Sequence, residues 1–453
     1  MAFSANIAFV IGILRARRRP LAVAAGGLLA ILVAAWWLRA PRDAPALPKV
    51  DSAEAAVRTR PIQTPLTALP GWQSPQPTAK DGELCGYGPI SKVNGIPYFP
   101  RDLEAAGQLA VASIASDLAT RSTERERALG LYLQAGAAAN AARLAWQDAN
   151  GDCNSNDLPC IPVLAQAMRS AAAESRRALV RLATTTSDAD AYALATVSCG
   201  ATTDELSSDE CALLSPAQWA RIEPDNVVPW LYLAEDAQRR HDRSSLEAAL
   251  NRASKARYSD SHLEQLSQFV ASDLVAAQSP FVQFQLAGAL LGVEPAFHPD
   301  YQMLTQYCSV AAQTDPNRVQ TCGDLAETLV DHSRIAIEVI VGAKLVEAGS
   351  SDPRRSALID KADAIRWQQS QRFKSMEHQD FGLSCESLQV LHRHLAAQGQ
   401  LDESGRLRQD LAASGLTTSQ AAQRWRAERQ RLLQLSEAQS RRSSSPQQPA
   451  NGP

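Results

Sequence analysis

The sequence predicts an all-α protein: a transmembrane helix, a proline-rich linker, and then an array of helical hairpins stapled by disulfides. Three observations predict it. Residues 21–38 form an unbroken apolar run, eight prolines fall between positions 41 and 77, and from Asp102 onward apolar residues recur at helical spacing in a chain with only 6% aromatics. Alanine-dense helices that pack closely are a better match to this composition than a β-rich fold.

The apolar run, LAVAAGGLLAILVAAWWL, follows Arg15, Arg17, Arg18 and Arg19 and closes on Trp36 and Trp37. A helix of that length rises roughly 27 Å, close to the ~30 Å hydrocarbon core of a bilayer. The arginines place residues 1–20 in the cytoplasm, and the tryptophans form an aromatic anchor at the far interface. The run is longer than the apolar core of an ordinary export signal, and Leu38-Arg39-Ala40 lacks the small-x-small pattern of a cleavage site. The sequence thus describes an uncleaved signal anchor, single-pass in a bacterial inner membrane, with the lipid bilayer as partner of residues 21–38 and the C-terminal part in the periplasm.

Residues 39–82 read as a linker, because Pro41, Pro45, Pro48, Pro61, Pro65, Pro70, Pro75 and Pro77 interrupt every helix or strand that could start there. Where it is polyproline-like it extends by up to ~3.1 Å per residue, enough to act as a stalk. Residues 39–453 hold 41 basic against 48 acidic side chains. An acidic outer portion does not suit nucleic acid, nor broad adhesion to anionic headgroups.

The region 83–415 is expected to be the folded helical-repeat domain. It opens with a turn-rich segment, Glu83 to Pro89, and then shows core stripes at Leu103, Ala106, Ala110 and Ile114 and at Leu164, Met168, Ala171, Ser175, Leu179 and Leu182. Helix starts are expected at capping boxes, in which a serine accepts from the N3 amide and Glu or Gln reaches back: Ser215 with Gln218, Ser244 with Glu247, Ser261 with Glu264. A long helix is expected near 352–379, another over 383–398, a charged helix over 416–439, and a disordered Ser/Gln/Pro-rich tail over 440–453.

The clearest hairpin spans residues 224–257. Trp230, Leu233, Ala234 and Ala237 line one helix face, Leu246, Leu250 and Ala253 line a second, and His241-Asp242-Arg243 turns between them. This segment resembles a tetratricopeptide repeat, with Glu223-Pro224-Asp225-Asn226 similar to the turn between repeats. It departs from that pattern where Ala234 replaces a glycine, Ala237 a tyrosine and Leu246 an alanine. Asp315-Pro316-Asn317 resembles a second such turn. The resemblance implies a solenoid of divergent hairpins that binds a peptide or partner protein, here an envelope protein; an irregular helical bundle is the alternative architecture.

All eight cysteines follow the apolar run, and an even number suits an oxidising compartment. Eight cysteines allow about 105 pairings. Spacing favours three local clamps, Cys153 with Cys160, Cys199 with Cys211 and Cys308 with Cys322, leaving Cys85 for Cys385. No C-x-x-C is present, so a redox role is not indicated.

Nothing identifies a catalytic, cofactor-binding or metal site. The oxygen-rich stretch Asp148 to Asp157 fails the calcium-loop pattern, with Cys153 where glycine belongs and Pro159 where glutamate belongs. His392 and His394 sit two apart and so face different sides of a helix. Asp380-Phe381-Gly382 has no glycine-rich or catalytic-loop partner, and no Walker A or dinucleotide fingerprint exists. Glu386-Ser387 resembles the Glu-Ser pair of lytic transglycosylases, without that family's downstream segment. The expected function is a non-catalytic scaffold; the competing class is a wall-processing hydrolase acting through an acid such as Glu386. A reporter fused after residue 80 is expected to be active only outside the cytoplasm, and activity confined to the cytoplasm would reverse the topology.

Overall fold

A computed structural model describes residues 83–89, 92–93, 96–97, 99, 101–150, 160–200, 210–262, 264–270, 272–291, 298–309, 314–346, 353–377, 384–387, 389 and 402–444. Two short antiparallel hairpins come first, β1 (Glu83–Leu84) with β2 (Gly88–Pro89) and β3 (Lys92–Val93) with β4 (Ile96–Pro97). Every later element among the described residues is helical, so the fold is all-α. Among the described residues no helix is long and apolar enough to cross a membrane. The run 21–38, the linker 39–82 and Cys153, the expected partner of Cys160, lie outside the described residues.

The first helical core is built on α1 (Arg101–Ala119), α2 (Glu124–Asn150), α3 (Cys160–Thr185) and α4 (Ala189–Gly200). At its centre lies α4, where Ala191, Tyr192, Ala193, Leu194 and Ala195 are all buried. A helix that is apolar on every side can only be an interior one. Around it pack Leu118, Leu133, Leu179 and Trp219.

A second core collects α6 (Val227–Arg239), α7 (Arg243–Ala253), α11 (Tyr301–Tyr307), α12 (Pro316–His332), α13 (Ala336–Val346), α14 (Pro353–Glu377) and α15 (Glu403–Ala413). Its interior helix is α13, buried at Ala336, Val339, Val341, Ala343 and Leu345. Helix α6 is the wall between the cores: Val228 faces the first and Val227 the second.

The segments between do not continue the stack in sequence order. Helix α5 (Pro216–Ile222), α8 (Glu264–Val270), α9 (Asp273–Ala276) and α10 (Pro280–Leu291) return to the first core, placing Leu266, Val275 and Leu286 beside Val111 and Ile114. A third, small cluster joins Leu84, Leu103 and Phe281, with the Phe99 ring tilted against Phe281 at 5.3 Å between centroids. Helix α16 (Thr418–Ser444) packs along α14 through Ala421 and Ala422 and runs past residue 439, beyond the boundary expected from sequence.

Several local expectations are corrected. Ala106 and Ala171 are exposed; α1 buries Leu103 and Ile114 as expected, packs Ala110 half-buried against the first core, and also buries Val111, Ala115 and Leu118. Ser215 does cap α5, accepting from Ala217 N at 3.2 Å. Its own amide, however, donates to Tyr192 Oη at 2.9 Å rather than to Gln218. The cap of α7 is Asp242, not Ser244: its Oδ1 accepts from Ser245 N at 3.0 Å after His241 turns the chain with φ 57°. Ser261 caps nothing, because His262 has φ 60° and cannot be the first residue of a helix.

Three cysteine pairs lie at disulfide-bonding distance: Cys85 with Cys385 at 2.02 Å, Cys199 with Cys211 at 1.95 Å and Cys308 with Cys322 at 1.99 Å. The first ties the β1–β2 turn to a residue 300 positions later.

The tightest helix crossing is at Gly130 of α2, where an added Cβ would lie 2.7 Å from Ala115 O and 2.8 Å from Ala119 Cα. Both are backbone atoms and cannot step aside. Gly130→Ala is therefore expected to destabilise the protein by about 1–3 kcal/mol through overpacking, read as a lower denaturant midpoint with an unchanged slope.

Candidate functional site

The loops that join helices on one side of the second core lie edge to edge. Asn226, the cap of α6, accepts from Val228 N at 3.2 Å and Asp260 N at 3.0 Å and donates to Asp260 O at 2.8 Å. Val227 N reaches Tyr258 O at 2.9 Å, Ser259 N reaches His332 O at 3.2 Å, Arg334 N returns to Ser259 O at 3.2 Å, and Ser404 N meets Arg334 O at 3.0 Å. Four connections are thereby laced by main-chain bonds. Their polar groups are satisfied by one another, as buried backbone requires.

Into this ladder is set a buried ionic network around His262. The left-handed turn at His262 is held by Asp260 Oδ1, which accepts its amide at 2.8 Å. The ring lies between two carboxylates, Nδ1 at 2.7 Å from Asp190 Oδ1 and Nε2 at 2.7 Å from Glu223 Oε2. Glu223 also accepts from Trp219 Nε1 at 3.1 Å, Asn226 Nδ2 at 3.0 Å and Tyr258 Oη at 3.3 Å. Arg125 pairs with Asp190, and Arg334 spans Asp260 at 3.0 Å and Glu264 at 3.1 Å.

The charges explain the titration. Burial alone would depress the His262 pKa, but its hydrogen bonds to Asp190 and Glu223 and the field of Asp260 raise it to about 10. Burial alone would raise Asp190 and Glu223; the bond from His262 and its charge hold both below the usual carboxylate range. With both ring nitrogens committed to carboxylates and carrying protons, His262 has no free lone pair for base catalysis. It is an electrostatic clasp.

A second buried acid, Glu338 of α13, accepts from Tyr301 Oη at 2.8 Å and Ser333 Oγ at 2.5 Å, and burial pushes its pKa up. It anchors α11 to the same loop ladder.

What opens to solvent is a polar cleft of about 430 Å³ between α7 and the N-terminal half of α12. One wall carries Glu247, Asn251 and Lys255, the other Asn317, Gln320 and Asp324. Tyr307 and Thr321 also border it, each immediately before a cysteine of the Cys308–Cys322 pair. That bond fixes the end of α11 against α12 and so holds both residues in place. Arg318 lays its guanidinium over the Tyr307 ring at 4.3 Å and reaches Glu247 at 3.7 Å, while Glu247 accepts from Arg243 Nε at 2.9 Å.

The residues singled out in the sequence fall as follows. Ala234, Leu250 and Ala253 are in the second core, Ala237 is buried, and Trp230, Leu233 and Leu246 pack half-buried against that core. Trp230 Nε1 donates to Pro224 O at 2.9 Å, closing the turn before α6. Glu386 is solvent-exposed and does not border the α7–α12 cleft. Asp380, His392, His394 and most of the oxygen-rich loop, residues 151–157, lie outside the described residues, and among the described ones no group of His, Cys, Asp and Glu is arranged to hold a metal ion. Sequence reasoning missed His262, since its partners are 72 and 39 residues away. The only local signal was Asp260 two residues before it.

Replacing His262 with Gln removes a cation that two buried carboxylates require. The expected cost is about 3–5 kcal/mol near neutral pH. The folded pKa of His262 is raised above its unfolded value of about 6.5, so its contribution is complete below that pH and is lost as pH rises toward about 10. Asp190 and Glu223 have lowered pKa values, so their contribution is present above the ordinary carboxylate range and is lost in acid. Thermal unfolding between pH 6 and 10 is expected to show a falling Tm that is flattened in His262→Gln; parallel curves would show that the imidazolium does not govern the alkaline limb.

No family model matches the chain, and neither a curated protein nor a solved structure matches it.

Proposed function

We propose that the chain is a protein-binding scaffold with no catalysis of its own, held outside a bacterial inner membrane by residues 21–38 and set off from it by the stalk 39–82. The observation that carries this reading is the α6–α7 hairpin. Its entry loop is bonded at Asn226 to Asp260, 34 residues later, so that one hairpin is delivered in register to the next connection. That interval matches a tetratricopeptide-like repeat, in keeping with Trp230, Leu233, Leu250 and Ala253 at that family's packing positions. The departures at Ala234, Ala237 and Leu246, and the return of α8–α10 to the first core, make it a divergent member of such an architecture.

Layered helices locked by loop bonds and disulfides present a stiff surface, and a surface ordered in advance does not add its own ordering to the entropic cost of binding. The alternative, a hydrolase working through Glu386, gains nothing from the exposed position of that residue. The partner is expected to be a protein of the cell envelope.

Photo-crosslinking residues placed at exposed positions across α1 to α16 of the intact, anchored protein test this. Protein adducts grouped on one face are expected, and Glu386→Gln is expected to leave them unchanged. The absence of protein adducts at every position, with glycan cleavage by the purified outer region, would overturn the reading.

A further inference from the structure

The α7–α12 cleft contains more unspent hydrogen-bonding capacity than a structural groove needs. The carboxamides of Asn251, Asn317 and Gln320, the Lys255 ammonium and the Asp324 carboxylate all border it, and none of these side chains has a protein partner among the described residues. The other charges are already engaged. Glu247 is held by Arg243 and Arg318, and the Asp315 carboxylate caps α12 through Asn317 N at 3.0 Å. One cation and one anion therefore remain, on opposite walls, with three carboxamides beside them.

Each of these features restricts the ligand. Polar walls offer nothing to an apolar molecule, because ligand sites for those are lined mainly by hydrophobic side chains. A sugar ring would need a bare aromatic face, and the one aromatic ring in the cleft, Tyr307, is covered by the Arg318 guanidinium. A carboxamide offers both a donor and an acceptor, which is what the alternating N–H and C=O groups of an extended main chain require. The volume, about 430 Å³, falls within the range of roughly 300–1,000 Å³ usual for a bound small ligand or short segment.

We propose that this cleft binds an extended polar peptide segment, with Asn251, Asn317 and Gln320 on its main chain, an acidic side chain at Lys255 and a basic one at Asp324. The proposal rests on the protein-binding reading above and assigns it a site and a sequence preference. The Cys308–Cys322 bond holds Tyr307, at the end of α11, against the α12 wall before the peptide arrives.

The probe is a library of acetylated, amidated hexapeptides, with one position at a time fixed as Asp, Lys or Ser, offered to the full-length protein in detergent. Enrichment of peptides carrying both an acid and a base is expected. Lys255→Glu is expected to weaken the best peptide about fivefold, as one exposed ion pair allows, and to shift the acidic position toward basic residues. The triple variant Asn251→Ala, Asn317→Ala, Gln320→Ala is expected to bind every peptide at least about tenfold more weakly. Lys255 and the three carboxamides are on exposed residues, so folding is checked by an unchanged unfolding midpoint; if the triple variant is destabilised, the altered selection by Lys255→Glu decides. An unselective library, undiminished binding by a folded triple variant, or displacement of peptide by N-acetylglucosamine oligomers would overturn the proposal. Protein crosslinks persisting elsewhere on the helices would then leave the scaffold reading intact while removing this site from it.

Discussion

Much of this architecture depends on one buried cation. His262 is bonded through both ring nitrogens to Asp190 of α4 and to Glu223 at the end of α5, and it lies in the loop that follows α7. Three segments distant in sequence meet at that ring. Two carboxylates this close, with Asp260 nearby, would repel one another strongly in a low-dielectric interior. The imidazolium, with Arg125 and Arg334 at the rim, converts that repulsion into attachment. Trp219, whose ring lies 6.1 Å from His262, closes the network on the side of the first core.

The clasp matters because the chain does not stack its helices in order. Helices α8 to α10 leave the second core and pack on the first, so the connection after α7 must branch in a defined direction. The positive φ at His262 supplies the turn, and the Asx bond from Asp260 holds it. The same loop, through Ser259, is paired with Ser333, and Arg334 continues to Ser404. One continuous set of main-chain bonds thus fixes α6, α12, α13 and α15 relative to one another. Glu338, beneath it, ties α11 in through Tyr301.

The cleft is a consequence of that frame rather than of any local motif. Its walls are α7, placed by Asn226 and Asp260, and α12, placed by Ser259 and Ser333. The Cys308–Cys322 bond adds a covalent limit to how far α11 can shift, with α11 and α12 tied at Cα atoms 5.8 Å apart. Asn251, Lys255, Asn317, Gln320 and Asp324 can face such a gap without protein partners because the frame, not the cleft, carries the stability. Free polar groups there are cheap, being solvated, and remain usable for recognition.

The sequence by itself determined the helical class, the α6–α7 hairpin and the local cysteine pairs at 199 with 211 and 308 with 322, because each depends on spacing within some thirty residues. Apolar periodicity, the serine-capped start of α5 and short cysteine intervals are local signals, and local structure answers to them. It placed Leu103 and Ile114 of α1 in the core, where they lie, but also Ala106, which is exposed, and it passed over Val111, Ala115 and Leu118, because which side of a helix is covered is decided by the neighbours that pack on it. It passed over His262 for a deeper reason. A lone histidine beside an aspartate carries no sign of its charge state, which is set by carboxylates brought from 39 and 72 residues away. Only the tertiary structure brings those groups together, because the energy that holds them is a long-range balance of burial against charge that no short window of sequence contains.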